Sequence, residues 1–455
     1  MSAPDLRRIV DVARLLKTGA LAPQDLVLEC LEQIEARPQV NAFITLLKES
    51  ALEEAKRAGT EIGAGRWRGP LHGIPVAVKD LIDVAGTRTT SGSALPSTEA
   101  VEDAPIVTRL REAGAIILGK TNLHEFAFGT TSEETAFGPV RNPLDETRSA
   151  GGSSGGSAAA LAAGMCFAAV GTDTGGSIRI PSAACGTVGL KPTYGELPLE
   201  AIVPLSTTLD HVGPMARSVA DAALLFQVMK GLQPMPLPAA PRRLVFGVPV
   251  PYFCERVDED VATALTRARA SFEAAGHETI DVAIEHASWT PHVYLHIVLP
   301  EASWYHAPLL VRHGSSYSPG VRLRIEMGRY VLAEDYLRAL ELRSALQLRV
   351  DRALDGCDAL LLPTLPAAAP ELGATVMDVN GHREPVRAAM LRLTQLFNLT
   401  GHPSIALPAG AGRDGLPRSL QLVGARHATE RLLAIATAVE PQISGGPGSV
   451  GGGTG

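Results

Sequence analysis

The stretch that most limits what this chain can become runs from Ser149 to Pro192, SAGGSSGGSAAALAAGMCFAAVGTDTGGSIRIPSAACGTVGLKP. Two glycine–serine clusters, GGSSGGS (Gly151–Ser157) and GTDTGGSIR (Gly171–Arg179), bracket a run of small apolar residues. No residue from Ala150 to Thr172 is charged. Glycine at this density costs backbone entropy. The density fits a backbone that must take shapes other residues refuse, close to something small.

Between the clusters, Ala158 to Val170 reads as a helix, because Ala is the best helix former. A helix with no polar face is buried all round. At 13 residues it is too short for a membrane span, which needs about 20. The expectation is a loop, a buried helix and a second loop, with serines at both edges. A helix N-terminus presents free N–H groups and a partial positive charge. A Ser–Gly loop beside such an end suits the stabilisation of a developing oxyanion.

Most serines in Gly–Gly–Ser turns do only local hydrogen bonding. What distinguishes Ser177, in TDTGGSIR, is its company of Ser153 and Lys79. Lys79 lies in the β-branched run IPVAVKDLIDV (Ile74–Val84). It reads in two ways: it snorkels from a strand end to water, or it is buried, with desolvation favouring the neutral amine. The second kind of lysine serves as a general base near neutral pH, and the residues alone leave both readings open. A nucleophilic serine needs an adjacent base, and Ser–Lys pairs are one solution. An intervening hydroxyl can relay the proton, being both donor and acceptor.

Two pattern matches are set aside. Gly114 to Thr121, GAIILGKT, satisfies the phosphate-loop pattern. A phosphate cradle needs a loop whose amides curl round the anion, whereas Ala-Ile-Ile-Leu is strand material. GGSSG (Gly151–Gly155) satisfies the G-x-S-x-G nucleophile elbow, which requires a strand before it. The preceding residues, NPLDETRSA, do not read as one.

Several long motifs then occur in a fixed order. They are HGIPVAVKDLIDVAG (His72–Gly86), GAIILGKTNLHEFAFG (Gly114–Gly129), GGSSGGS, TDTGGSIRIP, CGTVGLKP, LDHVGPMARSVADAA (Leu209–Ala223) and, near the C-terminus, PRSLQLVGARHATERLLAIATAVE. With these motifs the chain resembles the amidase signature family over nearly its whole length. The resemblance implies a single large α/β/α layered domain with a mixed central sheet flanked by helices. It implies Ser177 as nucleophile, Ser153 as the relay (held by a cis peptide bond) and Lys79 as the base. Backbone N–H groups around Thr174, Gly175, Gly176 and Ser177 would form the oxyanion hole. Asp173 and Arg179 match the family's structural charged pair, and Ser154 a supporting hydrogen-bonding residue. The implied substrate is a small-molecule amide or carbamate, with no cofactor and no metal. Val379 to Pro408 is similar to stand-alone members such as carboxybiuret hydrolases and urethane-cleaving amidases. The glutaminase component of tRNA-dependent amidotransferases, their A subunit, is the alternative. It usually has Gln where this chain has Ile180, and related chains often have Asn at the position of Glu134.

The rest of the 455 residues bounds the class. A formal charge of −7 with no basic block argues against nucleic acid as the main partner. The five cysteines are scattered, with no Cys/His cluster of metal-binding spacing. Cys166 and Cys185 read as buried, inert thiols. No apolar run reaches spanning length, and MSAPDLRRIVDVARLL has no clean secretory h-region. A cytoplasmic protein with no membrane partner is expected, and a homodimer is left open. Residues 1–60 read as an N-terminal helical segment, 61–443 as the α/β/α domain, and 444–455 as a Gly-rich disordered tail. Strand–helix–strand patterning over 243–285 argues α/β layering. The aromatic residues of the helical segment 286–350 are expected in the core.

Overall fold

The β-branched and apolar runs of this chain, each four to eight residues long, assemble into one sheet of eleven strands. In the computed structural model, which describes residues 8–445, these are β1 (Phe43–Leu46), β2 (Pro75–Lys79), β3 (Ile116–Thr121), β4 (Ala168–Thr172), β5 (Val188–Lys191), β6 (Val212–Ala216), β7 (Val245–Pro249), β8 (Glu278–Val282), β9 (Ala359–Pro363), β10 (Ser404–Ala411) and β11 (Pro417–Val423). Their order across the sheet is β1-β3-β2-β4-β6-β5-β10-β11-β9-β7-β8. Strand β2 runs parallel to both β3 and β4. Strand β7 runs parallel to both β8 and β9. The pairings between these two blocks are antiparallel, so the sheet is mixed.

Strand β9 shows why the sheet is covered on both sides. Ala359 and Leu361 join one hydrophobic cluster, and Leu360 and Leu362 the other. Alternate side chains point to opposite faces, and a strand buried on both faces reads as a continuous apolar run. The first cluster holds the helices Val219–Met229, Glu259–Ala274 and Thr429–Ser444; the second holds Thr290–His313 and Ala333–Leu354. The expected α/β/α layering with a mixed sheet is therefore found.

Four sequence expectations need correction. The helix expected over Ala158–Val170 instead spans Gly155–Ala162, and Ala168–Thr172 is strand β4. Gly164 takes φ +74°, a left-handed conformation that stops a helix, and a short apolar run after it is strand or helix by periodicity alone. Within the segment expected to be helical, FITL forms β1, which pairs antiparallel with β3. Asp145–Ser149, in the stretch before Gly151, is a strand after all. It pairs with Arg141–Asn142 in a two-stranded ribbon and bridges Glu371 through Arg148, outside the eleven-stranded sheet, so it is not the sheet strand that an elbow requires. Of the aromatic residues over 286–350, Tyr294 and Tyr317 are buried, but Trp304 and Tyr330 are 74% and 84% exposed. The final helix continues to Ser444 and is capped by Gly445, and the expected disordered tail from 446 on lies outside the described residues.

The rejected phosphate-loop match is strand β3. A Cβ on Gly119 would sit 2.3 Å from the Thr45 carbonyl oxygen, so glycine here permits the approach of β1. Lys120 is buried on the Asp80 carboxylate at 2.8 Å.

Candidate active site

Lys79 is the last residue of β2, the third strand from one edge of the sheet, and its side chain is fully buried. Strand β4 runs beside β2 and ends at Thr172, where the second glycine–serine loop begins. The first loop enters the helix Gly155–Ala162, buried from Gly155 to Leu161. Parallel packing of β2 and β4 thus brings both loops to the end of β2. Lys79 Nζ lies 2.8 Å from Ser153 Oγ and 2.8 Å from Thr172 Oγ1. No carboxylate lies within ion-pair distance of it among the described residues. Burial pushes its pKa down to about 7, against the upward pull of Asp173 and Asp210. The snorkelling reading of Lys79 fails, because its side chain does not reach the surface.

Ser153 follows a cis peptide bond from Gly152. Its carbonyl accepts hydrogen bonds from His124 N–H and from Ser132 Oγ, each at 3.2 Å. Ser154 binds the two loops together. Its N–H donates to the Ser177 carbonyl at 3.2 Å, its hydroxyl donates to the Thr172 carbonyl at 3.2 Å, and Thr172 N–H donates back to Ser154 Oγ at 3.3 Å. Ser177 is 5% exposed and stands just before the helix Arg179–Cys185.

The turn carrying Ser177 is held from outside. Asp173 and Arg179, both fully buried, form a two-pronged ion pair at 3.1 Å on each prong. Burial alone would raise the Asp173 pKa; the Arg179 guanidinium holds it well below the usual carboxylate range. Arg179 also donates to Asn398 Oδ1 at 2.7 Å and Gln421 Oε1 at 3.1 Å. Thr174 Oγ1 donates to Asp210 at 2.6 Å, and Thr394 Oγ1 donates to the Gly175 carbonyl at 2.6 Å. Burial pushes the Asp210 pKa up to about 6, opposed by hydrogen bonds from Thr174 and from the Leu205 and Ser206 N–H groups. The N–H groups of Gly175, Gly176 and Ser177 meet no acceptor among the described residues. A braced turn with unpaired N–H groups is what an oxyanion site needs.

Breaking a buried pair by removing one partner strands the other charge, at a cost of about 3–5 kcal/mol. Arg179→Met is therefore expected to lower the unfolding free energy by roughly that amount. Urea denaturation checks it; a loss near zero would show that Asp173 finds another partner.

Sequence reasoning named Lys79, Ser153, Ser154, Asp173, Thr174, Gly175, Gly176, Ser177 and Arg179, and the structure gathers all nine. It missed Thr172, Asp210, Thr394 and Asn398. Each is a polar residue inside a stretch already singled out, and that membership was the available signal. It also missed Lys191, whose Nζ donates to the His402 carbonyl at 2.6 Å and whose pKa burial pushes well down. Cys166 and Cys185 are buried and their thiols are pushed up by burial, Cys166 to about 12. Among the described residues no group of three or more His, Cys, Asp and Glu could hold a metal ion. No helix there is long and apolar enough to cross a membrane.

Comparison with known proteins identifies the family. The Amidase family model matches residues 25–433. An amidase of Pseudomonas putida is 40% identical over 433 residues, 91% of this chain and 92% of the relative. The A subunit of the glutamyl-tRNA(Gln) amidotransferase of Desulfatibacillum aliphaticivorans is 35% identical over 468 residues, covering 92% of this chain and 94% of the relative. A crystal structure of an amidase superposes with a TM-score of 0.91 at 41% identity, covering 96% of this chain and all of that one. The chain belongs to the amidase signature family, whose members are hydrolases of amide C–N bonds.

Proposed function

We propose that this protein hydrolyses the C–N bond of an amide or carbamate through an acyl-enzyme on Ser177. The observation that carries the reading is Lys79: fully buried, without a carboxylate partner, 2.8 Å from Ser153 Oγ. An ammonium so placed is disfavoured, so the amine accepts a proton near neutral pH. Ser177 Oγ attacks the carbonyl carbon and gives its proton to Ser153 Oγ, which passes its own to Lys79 Nζ. The N–H groups of the Thr174–Ser177 turn receive the oxyanion. The tetrahedral intermediate collapses, and the relay run backwards protonates the leaving amine. Water then cleaves the acyl-enzyme by the same path. Ser154 keeps the two loops in register, while Asp173 and Arg179 fix the turn. We place this activity in the cytoplasm, on small molecules, including urethanes, rather than on nucleic acid or a membrane.

The rival reading is the glutaminase component of a tRNA-amidating complex, favoured by the amidotransferase relatives. Two departures weigh against it. Glu134 is locked to Arg324 at 2.6 Å and to His124 at 3.1 Å, and Ile180 packs in an apolar cluster. Such a component would show little turnover without its partners.

Labelling with a phosphonofluoridate, followed by peptide mapping, tests the nucleophile. The label is expected on Ser177; attachment to another serine would overturn the assignment. Screening the purified chain by itself against primary amides, anilides, ureas and carbamates separates the two readings. Ser153→Ala is expected to fold normally and to lose about 10²–10⁴-fold in kcat, the scale of general acid–base catalysis. Near-full activity would exclude the relay.

A further inference from the structure

Among the described residues, the half-buried arginine Arg387 has no ion-pair or hydrogen-bond partner. Arg387 lies on the short helix Val386–Leu391, half-buried, with Nε sealed from solvent and without an acceptor. Its guanidinium forms no ion pair or hydrogen bond among the described residues. It sits over the Phe128 ring, 5.7 Å from the centroid. Arg324 sits over the same ring at 5.6 Å, but Arg324 is already neutralised by Glu134. Burial pushes the Arg387 pKa down, Arg324 adds to this, and the nearby Tyr294 opposes it. An arginine nonetheless stays charged in proteins.

The position of Arg387 connects it to the reacting centre. A Cβ on Gly175 would lie 2.6 Å from Tyr294 Oη and 3.0 Å from Leu391 Cδ2. Tyr294 thus touches the turn that carries Ser177, and Leu391 is on the same helix as Arg387. Tyr294 Oη, like Arg387, forms no hydrogen bond among the described residues. A planar guanidinium matches a carboxylate through two parallel hydrogen bonds, and a desolvated, unpaired one favours such a ligand strongly.

We propose that Arg387 is a specificity-determining residue that binds a carboxylate carried by the amide substrate. The preferred substrates are then monoamides of dicarboxylic acids, a class that rests on the hydrolytic reading above. The cation–π contact with Phe128 holds the guanidinium in place, and Tyr294 Oη offers a further donor to the same carboxylate.

The test is calorimetric binding to the Ser177→Ala protein, which needs no turnover. The ligands are the monoamides of succinic, glutaric and adipic acid, against butanamide, pentanamide and hexanamide as neutral counterparts. At least one monoamide is expected to bind more tightly than its counterpart by about 10- to 100-fold, the scale of charge-assisted hydrogen bonds. Adding Arg387→Met should erase that difference, and Arg387→Lys, which keeps the charge, should restore part of it. Monoamides that bind no more tightly than their neutral counterparts would overturn the proposal. So would a difference that survives Arg387→Met. A failure of the hydrolytic reading shows separately, as wild-type protein that releases ammonia from no amide.

Discussion

Ser177→Ala is expected to lower kcat by about 10⁴- to 10⁶-fold, the range seen when a serine nucleophile is removed from a site whose remaining parts are intact. The fold should survive. The Ser177 side chain forms no hydrogen bond among the described residues, and the turn around it is held by Asp173, Arg179, Thr394 and Asp210. Residual turnover is expected from the oxyanion site and from binding alone. A pre-steady-state burst with an activated ester substrate should be present in wild type and absent in the variant. Turnover retained within tenfold of wild type would remove Ser177 as nucleophile and pass the role to another hydroxyl.

The second large effect concerns Lys79. With burial pushing its pKa to about 7, the amine is protonated below that pH and cannot accept the relayed proton. The rate is therefore expected to rise with pH through about 7. Lys79→Met should lose about 10²–10⁴-fold in kcat, and that limb should vanish from its profile. Asp210, pushed up to about 6, would then leave at most a shallower dependence at lower pH. An unchanged limb in the variant would assign the titration to another group. Stability carries the same signature. The unfolded chain holds a proton on this lysine up to its ordinary pKa of 10.5, while the folded one releases it near 7. Between those values the unfolded state binds more protons, so wild-type stability should rise with pH. The difference in Tm between wild type and Lys79→Met should accordingly move in favour of wild type as pH increases over that window. A constant difference would mean that the amine is not depressed in the folded protein.

Local chemistry makes part of this site readable in advance. Gly151 to Ser157 and Gly171 to Arg179 stand out because a loop of that composition has few uses beyond close approach to a ligand. Lys79 stands out because it interrupts a β-branched run. The stretch 158–170 misleads because Ala, Val and Phe in a short apolar run suit either a strand or a buried helix, and Gly164 divides the run between them. FITL escapes notice because four residues between two long helices carry little periodicity. Asp210, Thr394 and Asn398 escape it because a lone polar side chain announces its purpose only through its partner. Those partners are Thr174, the Gly175 carbonyl and the Asp173–Arg179 pair, up to 225 residues away.

From the order of residues alone follow the layered α/β class and the family, since both are written in contiguous motifs, and the same motifs carry the two hydroxyls and the amine proposed for the reaction. Tertiary structure alone decided that Lys79 is sealed from water, that its amine reaches a serine 74 residues away, and that Arg179 is neutralised while Arg387 is not. The reason is physical: protonation state and pairing depend on burial and on distances of a few ångströms between strands. Neighbouring letters in a chain set neither quantity.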